Sequence, residues 1–340
     1  MSNTASRTLR IGLNGFGRIG RAVFRASLED DRVDIVGIND VMEDDDVEYL
    51  AKYDTIMGRL EGVELVDGEL VVDGYDVSIP VYGETDPTQL PWDDRDVDVA
   101  FECTGIFRTY EDAASHLDAG ADKVLISAPP KGETPVPQLV YGVNHDEYDG
   151  EDVVSNASCT TNSVTPVAKV LDEQFGINVG QLTTVHAYTG SQALIDGPMA
   201  KKRRGRAAAE NVVPTSTGAA TAATQVLPQL EGKLDGMAIR VPVPNGSLTE
   251  LVVDLDEQPT AGDVNAAFRD AADGELSGVL GYTDDEIVSS DVVGLPFSSY
   301  VDLQSTTVVG GMTKVLTWYD NEYGFSCRML DVADYVAESR

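Results

Sequence analysis

One glycine-rich turn limits the fold of this chain more than any other feature. Gly15-Phe16-Gly17-Arg18-Ile19-Gly20 is a G-x-G-x-x-G that follows the apolar run Leu9 to Leu13 and precedes Ala22 to Leu28, whose apolar residues have helical spacing. Glycine turns are common, and alone this one would say little. Here it lies between a strand and a helix, and Asp40 falls at the end of the next β-branched run, Val33 to Ile38. That context specifies the first βαβ unit of a dinucleotide-binding sheet. The roles are separable: Gly15 permits the tight turn, Gly17 lets a pyrophosphate approach the backbone, and Gly20 lets helix and strand pack closely. The helix N-terminus offers N–H groups and partial positive charge to phosphates. Asp40 accepts from ribose hydroxyls and repels a 2′-phosphate, which favours NAD over NADP.

Further apolar runs at Val97 to Phe101 and Val124 to Ile126 continue the wound sheet, and Gly62 to Pro80 mixes Val, Leu and Ile with Asp-Gly pairs, the mark of inserted hairpins. Near residue 155 the texture changes. Val164 to Phe175 has helical spacing, followed by β-rich runs at Thr183 to Tyr188, Ala238 to Val243, Leu248 to Leu255 and Thr306 to Tyr319. Helices are expected at Gly218 to Leu227, Asp263 to Asp273 and within Asn321 to Glu338. The fold class is therefore α/β: a Rossmann-type doubly wound parallel sheet, then an α+β catalytic domain with a mostly antiparallel sheet. A chain of 340 residues suits two such domains.

Charge excludes several partners. The chain has 24 Lys and Arg against 58 Asp and Glu, a formal net charge of −34. Such a surface repels nucleic acid and anionic lipid. The acids are scattered through the sequence (Asp30-Asp31, Glu43 to Asp46, Asp284 to Glu286), so they form a shell on a folded protein. A cell with molar internal salt, where the Debye length shrinks to about 3 Å, would tolerate that self-repulsion. No run of apolar residues is long enough for a membrane helix, and Met1 to Thr8 is polar, without a signal core. Three cysteines form no disulfide framework and no zinc-like spacing, which points to a reducing cytoplasm and to no metal.

Ser155-Asn156-Ala157-Ser158-Cys159-Thr160-Thr161-Asn162 puts a cysteine at the mouth of a helix, where the dipole favours a thiolate. A buried structural cysteine is nearly as good a reading. Of three histidines, His116 and His145 lie in polar stretches and are expected on the surface, whereas His186 ends the apolar run Leu182 to Val185. Lys201-Lys202-Arg203-Arg204-Gly205-Arg206 concentrates basic charge in an acidic chain, and Thr215 to Gly218 opens a helix. The cluster reads as a nucleic-acid patch, a chance surface stretch or a phosphate site, and the net charge argues against the first. Two anion sites beside a thiol and a dinucleotide suit hydride removal from a thiohemiacetal followed by phosphate attack.

These motifs, with Asn14 to Gly20, His186-Ala187-Tyr188-Thr189, Arg206 to Glu210, Pro214 to Gly218 and Trp318-Tyr319-Asp320-Asn321-Glu322-Tyr323-Gly324, resemble phosphorylating glyceraldehyde-3-phosphate dehydrogenases of the bacterial and eukaryotic type, over essentially the whole chain. The resemblance implies an NAD-binding domain over 1–157 completed by a C-terminal helix in 321–340, and a catalytic domain over 158–320. It makes Cys159 the nucleophile and His186 its base, with NAD on Gly15, Gly17, Arg18, Ile19, Gly20, Asp40, Ser127 and Asn321. It places Thr189, Arg204 and Arg240 at phosphate groups of the substrate, and Ser158, Thr160, Thr217 and Gly218 around inorganic phosphate. It implies a cytoplasmic homotetramer in which the Gly197-Pro198 loop arches over a neighbouring subunit's cofactor, and oxidation of glyceraldehyde 3-phosphate, or else of another phosphorylated aldehyde such as erythrose 4-phosphate. Two positions depart from many relatives: Thr85 stands where an arginine lies near the adenine, and Ser163 replaces a second cysteine four residues after the nucleophile.

Overall fold

The computed structural model of the protein describes residues 7–339; most of the polar N-terminal stretch read above, residues 1–6, lies outside them. The chain divides into two compact units, one made of Met1–Leu139, Glu147–Ala157 and Ser326–Arg340, the other of Val140–Asp146 and Ser158–Phe325.

The first unit contains β1 (Leu9–Asn14), α1 (Arg18–Ser27), β2 (Val33–Asn39), α2 (Asp44–Lys52), a small ribbon of β3 (Tyr53–Asp54) and β4 (Gly58–Arg59), then β5 (Val63–Val66), β6 (Glu69–Val72), β7 (Val77–Tyr82), β8 (Val99–Glu102), short helices α3 (Tyr110–Ala113) and α4 (Ser115–Asp118), β9 (Lys123–Ile126) and β10 (Val153–Ser155). Its sheet runs β10-β9-β8-β1-β2-β7-β6-β5, parallel from β10 through β7 and antiparallel in the appended hairpins. Parallel strands covered on both faces read as continuous apolar runs, and Ile11, Leu13, Ile38, Phe101, Leu125 and Ile126 are all fully buried. The β5–β6 turn is Asp67-Gly68, both with positive φ (52° and 82°), as a two-residue type I′ hairpin requires. Helix α1 begins at Arg18, four residues before its apolar stripe, because its first turn belongs to the glycine loop.

The second unit contains α5 (Cys159–Phe175), β11 (Ile177–Ala187), β12 (Val213–Ser216), α6 (Ala219–Val226), β13 (Leu234–Val241), β14 (Ser247–Leu255), α7 (Ala261–Asp273), β15 (Leu280–Thr283), β16 (Ser299–Val309) and β17 (Met312–Tyr319). The last helix, α8 (Tyr323–Glu338), starts in this unit, and the first unit resumes at Ser326. The sheet order is β12-β13-β11-β14-β17-β16-β15, antiparallel except for β13-β11 and β16-β15. Along β14 and β17 burial alternates with period two, and α5 packs on β14, β16 and β17. The run expected as one strand at Thr306 to Tyr319 is a hairpin. Gly310 and Gly311, both left-handed (φ 58° and 88°), break it, and the first arm reaches back to Ser299.

Among the described residues no helix is long and apolar enough to cross a membrane, and no cluster of His, Cys, Asp and Glu is arranged to hold a metal ion. All three cysteines are free thiols.

Candidate active site

In the first unit the glycine loop is shaped by backbone contacts. A Cβ at Gly15 would lie 2.6 Å from the Thr104 nitrogen, and one at Gly20 would lie 2.0 Å from the Gly15 oxygen. Gly15 also has φ 96°. Both positions therefore exclude any side chain. At Gly17 a Cβ would meet nothing within 4 Å. That open space at the start of α1, whose cap residue carries no side-chain bond, is where a pyrophosphate fits. Asp40 spans the loop: Oδ2 accepts from the Phe16 N–H at 2.6 Å and Oδ1 from the Met42 N–H at 3.1 Å. Arg18 pairs with Asp54, which the Ile56 and Met57 N–H groups also hold. Ile19 is half-buried, and the Ser127 N–H bonds the Glu102 carbonyl at 3.0 Å. These residues fit a dinucleotide with a free ribose 2′-hydroxyl.

The second unit assembles the thiol and the imidazole. Ser158 caps α5 through a 3.1 Å bond from the Thr161 N–H, which places Cys159 in the first helical turn. Cys159 Sγ lies 3.5 Å from His186 Nε2. His186 Nδ1 is 2.8 Å from the Ala187 carbonyl oxygen, an acceptor only, so Nδ1 carries the proton and Nε2 turns its lone pair to the sulfur. Burial first, then the Arg240 charge, lowers the His186 pKa to about 3, so the imidazole is neutral. Burial pushes the Cys159 thiol up, against the pull of Arg240 and of hydrogen bonds from Thr160. Burial thus works against charge on either partner, while Arg240 and the helix N-terminus favour charge on the sulfur. Charge separates when the sulfur attacks, and Arg240 and the helix N-terminus stabilise the sulfur's side of it.

Cationic side chains form the rest of the site. Arg240 is the register partner of His186 in the parallel β11–β13 pair. Its guanidinium donates to the Ala187 carbonyl at 2.9 Å and to Thr189 Oγ1 at 3.4 Å. Thr189 Oγ1 is 2.8 Å from Ser191 Oγ, which accepts from Arg204, and Arg204 also donates to Thr215. Arg240, Thr189, Ser191 and Arg204 therefore form one hydrogen-bonded string of cationic and hydroxyl groups running from the strand that carries the imidazole. The remaining basic residues diverge: Lys201 bonds Ser216 and Arg206 pairs with Asp196 on the surface. Thr217 Oγ1 accepts from the Ala219 N–H, and Gly218 caps α6 without a side chain. The Thr160 hydroxyl is 3.0 Å from the Tyr319 hydroxyl, and Thr160 also hydrogen-bonds the Cys159 sulfur. Asn321 is buried, with Oδ1 accepting from Ser247 at 2.8 Å. Asp320 fixes it there by accepting from Asn245, Gly294, Glu322 and Tyr323.

One expectation is overturned. His116 is fully buried, not at the surface: its short helix turns it inward, where Trp92 Nε1 donates to Nδ1 at 3.1 Å and Glu102 lies 3.3 Å from Nε2. Polar neighbours in sequence gave the wrong signal because a four-residue helix exposes some positions and buries the next. His145 is half-buried. Tyr319 was not singled out in the sequence. Its ring packs edge-on against His186 at 5.9 Å between centroids, and its hydroxyl joins Thr160 to Thr184. Its place in the Trp318 to Gly324 run, at the end of a buried strand, was the available signal.

Comparison with known proteins covers both units. Residues 9–110 match the model of the glyceraldehyde 3-phosphate dehydrogenase NAD-binding domain, and residues 158–321 match that of the C-terminal domain. The glyceraldehyde-3-phosphate dehydrogenase of Haloarcula vallismortis is 75% identical over 333 residues, covering 98% of this chain and 99% of the relative. Those of Priestia megaterium and Streptomyces coelicolor are 51% and 52% identical, each covering 97% of this chain and 98% of the relative. With both domains matched in order and identity this high along nearly the full length, the chain belongs to the glyceraldehyde-3-phosphate dehydrogenase family.

Proposed function

We infer that the protein oxidises D-glyceraldehyde 3-phosphate with NAD and inorganic phosphate, giving 1,3-bisphosphoglycerate. The observation that carries the chemistry is Cys159 Sγ 3.5 Å from a His186 Nε2 whose other nitrogen is pinned, beside Arg240. The sulfur attacks the aldehyde carbon while its proton passes to Nε2 and on to the carbonyl oxygen, giving a thiohemiacetal. The Cys159 backbone N–H, at the helix start, stabilises the oxygen as charge develops. His186 then takes the hydroxyl proton as the hydride leaves carbon, and a thioester remains. NAD, when bound, accepts that hydride. A phosphate oxygen attacks the thioester carbonyl, the carbon–sulfur bond breaks, and His186 returns its proton to the sulfur. Arg240, Thr189 and Arg204 hold phosphate groups of the substrate; Ser158, Thr160, Thr217 and Gly218 surround the incoming phosphate. Gly15, Gly17, Arg18, Ile19, Gly20, Asp40 and Ser127 hold NAD, and Asn321 holds the nicotinamide amide. Erythrose 4-phosphate is not favoured, since all three relatives named above are glyceraldehyde-3-phosphate dehydrogenases.

The deciding assay is NAD reduction by glyceraldehyde 3-phosphate in concentrated KCl, with and without inorganic phosphate. Turnover is expected to collapse when phosphate is omitted. Undiminished turnover without it would make the protein a non-phosphorylating aldehyde dehydrogenase.

A homotetramer in the cytoplasm is part of the same reading. Leu194 and Ile195, 80% and 76% exposed on the loop before Gly197-Pro198, are large apolar residues of the kind a second copy would cover. Light scattering in concentrated KCl measures the assembly directly. The acidic shell gives a further expectation: the Tm rises by at least about 5 °C between about 0.1 M and about 2 M KCl, as screening shortens the range of repulsion among 58 acidic side chains. A Tm that is flat or falling with KCl would contradict salt adaptation.

A further inference from the structure

At the C-terminal ends of the parallel strands, side chains that take no part in the reaction tie four loops together. Glu102, ending β8, is fully buried. Its Oε2 accepts from Asn14 Nδ2 at 2.6 Å and lies 3.3 Å from His116 Nε2; its Oε1 accepts from the Thr104 N–H at 2.8 Å and from the Thr104 hydroxyl. Asn14, ending β1, accepts from Asn39 Nδ2 at 2.7 Å, and Asn39, ending β2, exchanges bonds of 2.8 and 3.0 Å with the Glu84 backbone. The Trp92 indole N–H can only donate, and it donates to His116 Nδ1, so the ring's proton is on Nε2 and faces Glu102. Asn14, Asn39, Trp92 and His116 are all buried, so each bond acts without competition from water.

The tied segments are the ones assigned to the cofactor. Asn14 precedes Gly15, and Asn39 precedes Asp40. Gly15 packs directly on the Thr104 backbone, so a shift of the Glu102 to Thr104 segment moves the glycine loop with it. A buried carboxylate stays in place only while donors surround it, and removing one leaves an oxygen unsatisfied.

We propose that His116 is a positioning residue for NAD: by donating to Glu102 it locks the ends of β1 and β8, and through them the glycine loop and Asp40, in the shape that receives the dinucleotide. This rests on the reading that the loop binds NAD. The experiment is calorimetric titration of NAD into the full chain and into His116→Leu and His116→Gln, with steady-state kinetics, all in concentrated KCl. His116→Leu is expected to raise both Kd and KM for NAD about tenfold, with kcat at saturating NAD and KM for glyceraldehyde 3-phosphate within about twofold of the parent. Gln offers an amide N–H to Glu102 and a carbonyl to Trp92, and should bring Kd back to within about threefold of the parent. A folded Leu variant that binds NAD as the parent does, or a Gln variant no better than Leu, would overturn the proposal. If the Leu variant does not fold, Trp92→Phe, which frees the ring to change tautomer, should raise Kd about threefold, and an unchanged Kd would overturn it. A parent chain that fails to bind NAD would instead overturn the reading of the loop itself.

Discussion

Cys159→Ser lowers kcat for NAD reduction by at least about 10^4-fold while leaving NAD affinity within about twofold. Serine keeps the side chain's volume and the helix cap, so the fold and the glycine loop are untouched. The loss is chemical. A serine hydroxyl holds its proton far more tightly than a thiol, and its oxygen is a far weaker nucleophile toward the aldehyde carbon beside the same base. An oxygen ester would also be a poorer intermediate for phosphate attack than a thioester. Stopped-flow NADH absorbance with glyceraldehyde 3-phosphate and phosphate, alongside NAD titration, separates chemistry from binding. Turnover in the serine variant within about tenfold of the parent would remove Cys159 from the nucleophile's role.

His186→Gln lowers kcat by about 10^2- to 10^4-fold, and the iodoacetamide reaction of Cys159 slows with it, because the acceptor of the thiol proton is gone. The same substitution changes acid stability, and the sign follows from where the protons bind. In the folded chain burial and Arg240 hold the imidazole's pKa near 3, while the unfolded chain titrates near the ordinary 6.5. Between those values the unfolded state binds a proton that the folded state does not. His186 therefore contributes stability above pH 6.5 that is lost as the pH falls towards 3, at up to about 1.4 kcal/mol per pH unit. Glutamine carries no such proton. The variant's stability, from urea unfolding between pH 6.5 and pH 3.5, should decline less steeply than the parent's. Parallel declines would mean that His186 is not held neutral in the fold.

Much of the site was legible because it rests on short local patterns. The glycine loop is written in adjacent residues, since each glycine answers a contact only a few ångströms away: Gly20 faces the Gly15 oxygen, and Gly17 faces open space. Cys159 could be placed because its cap, Ser158, is its neighbour. His116 was misread for the opposite reason. Its partners, Trp92, Glu102 and Asn14, lie up to 102 positions away in the chain, and no window around Ser115-His116-Leu117-Asp118 contains them. Tyr319 escaped notice in the same way, since its hydroxyl meets Thr160 and Thr184 from distant elements. The hairpin inside Thr306 to Tyr319 was marked by Gly310-Gly311, and strand-forming residues on both sides (Thr306 to Val309, Val315 to Tyr319) hid it.

The sequence by itself determined the dinucleotide loop, the α/β order, the acidic shell and the cysteine at a helix mouth, because backbone sterics, hydrophobic periodicity and formal charge act over a few residues. Only the tertiary structure decided how closely His186 approaches the sulfur, which of its nitrogens carries the proton, and how burial and charge bear on the pair. Those depend on burial and on charges such as Arg240, which strand pairing, not chain proximity, brings beside His186.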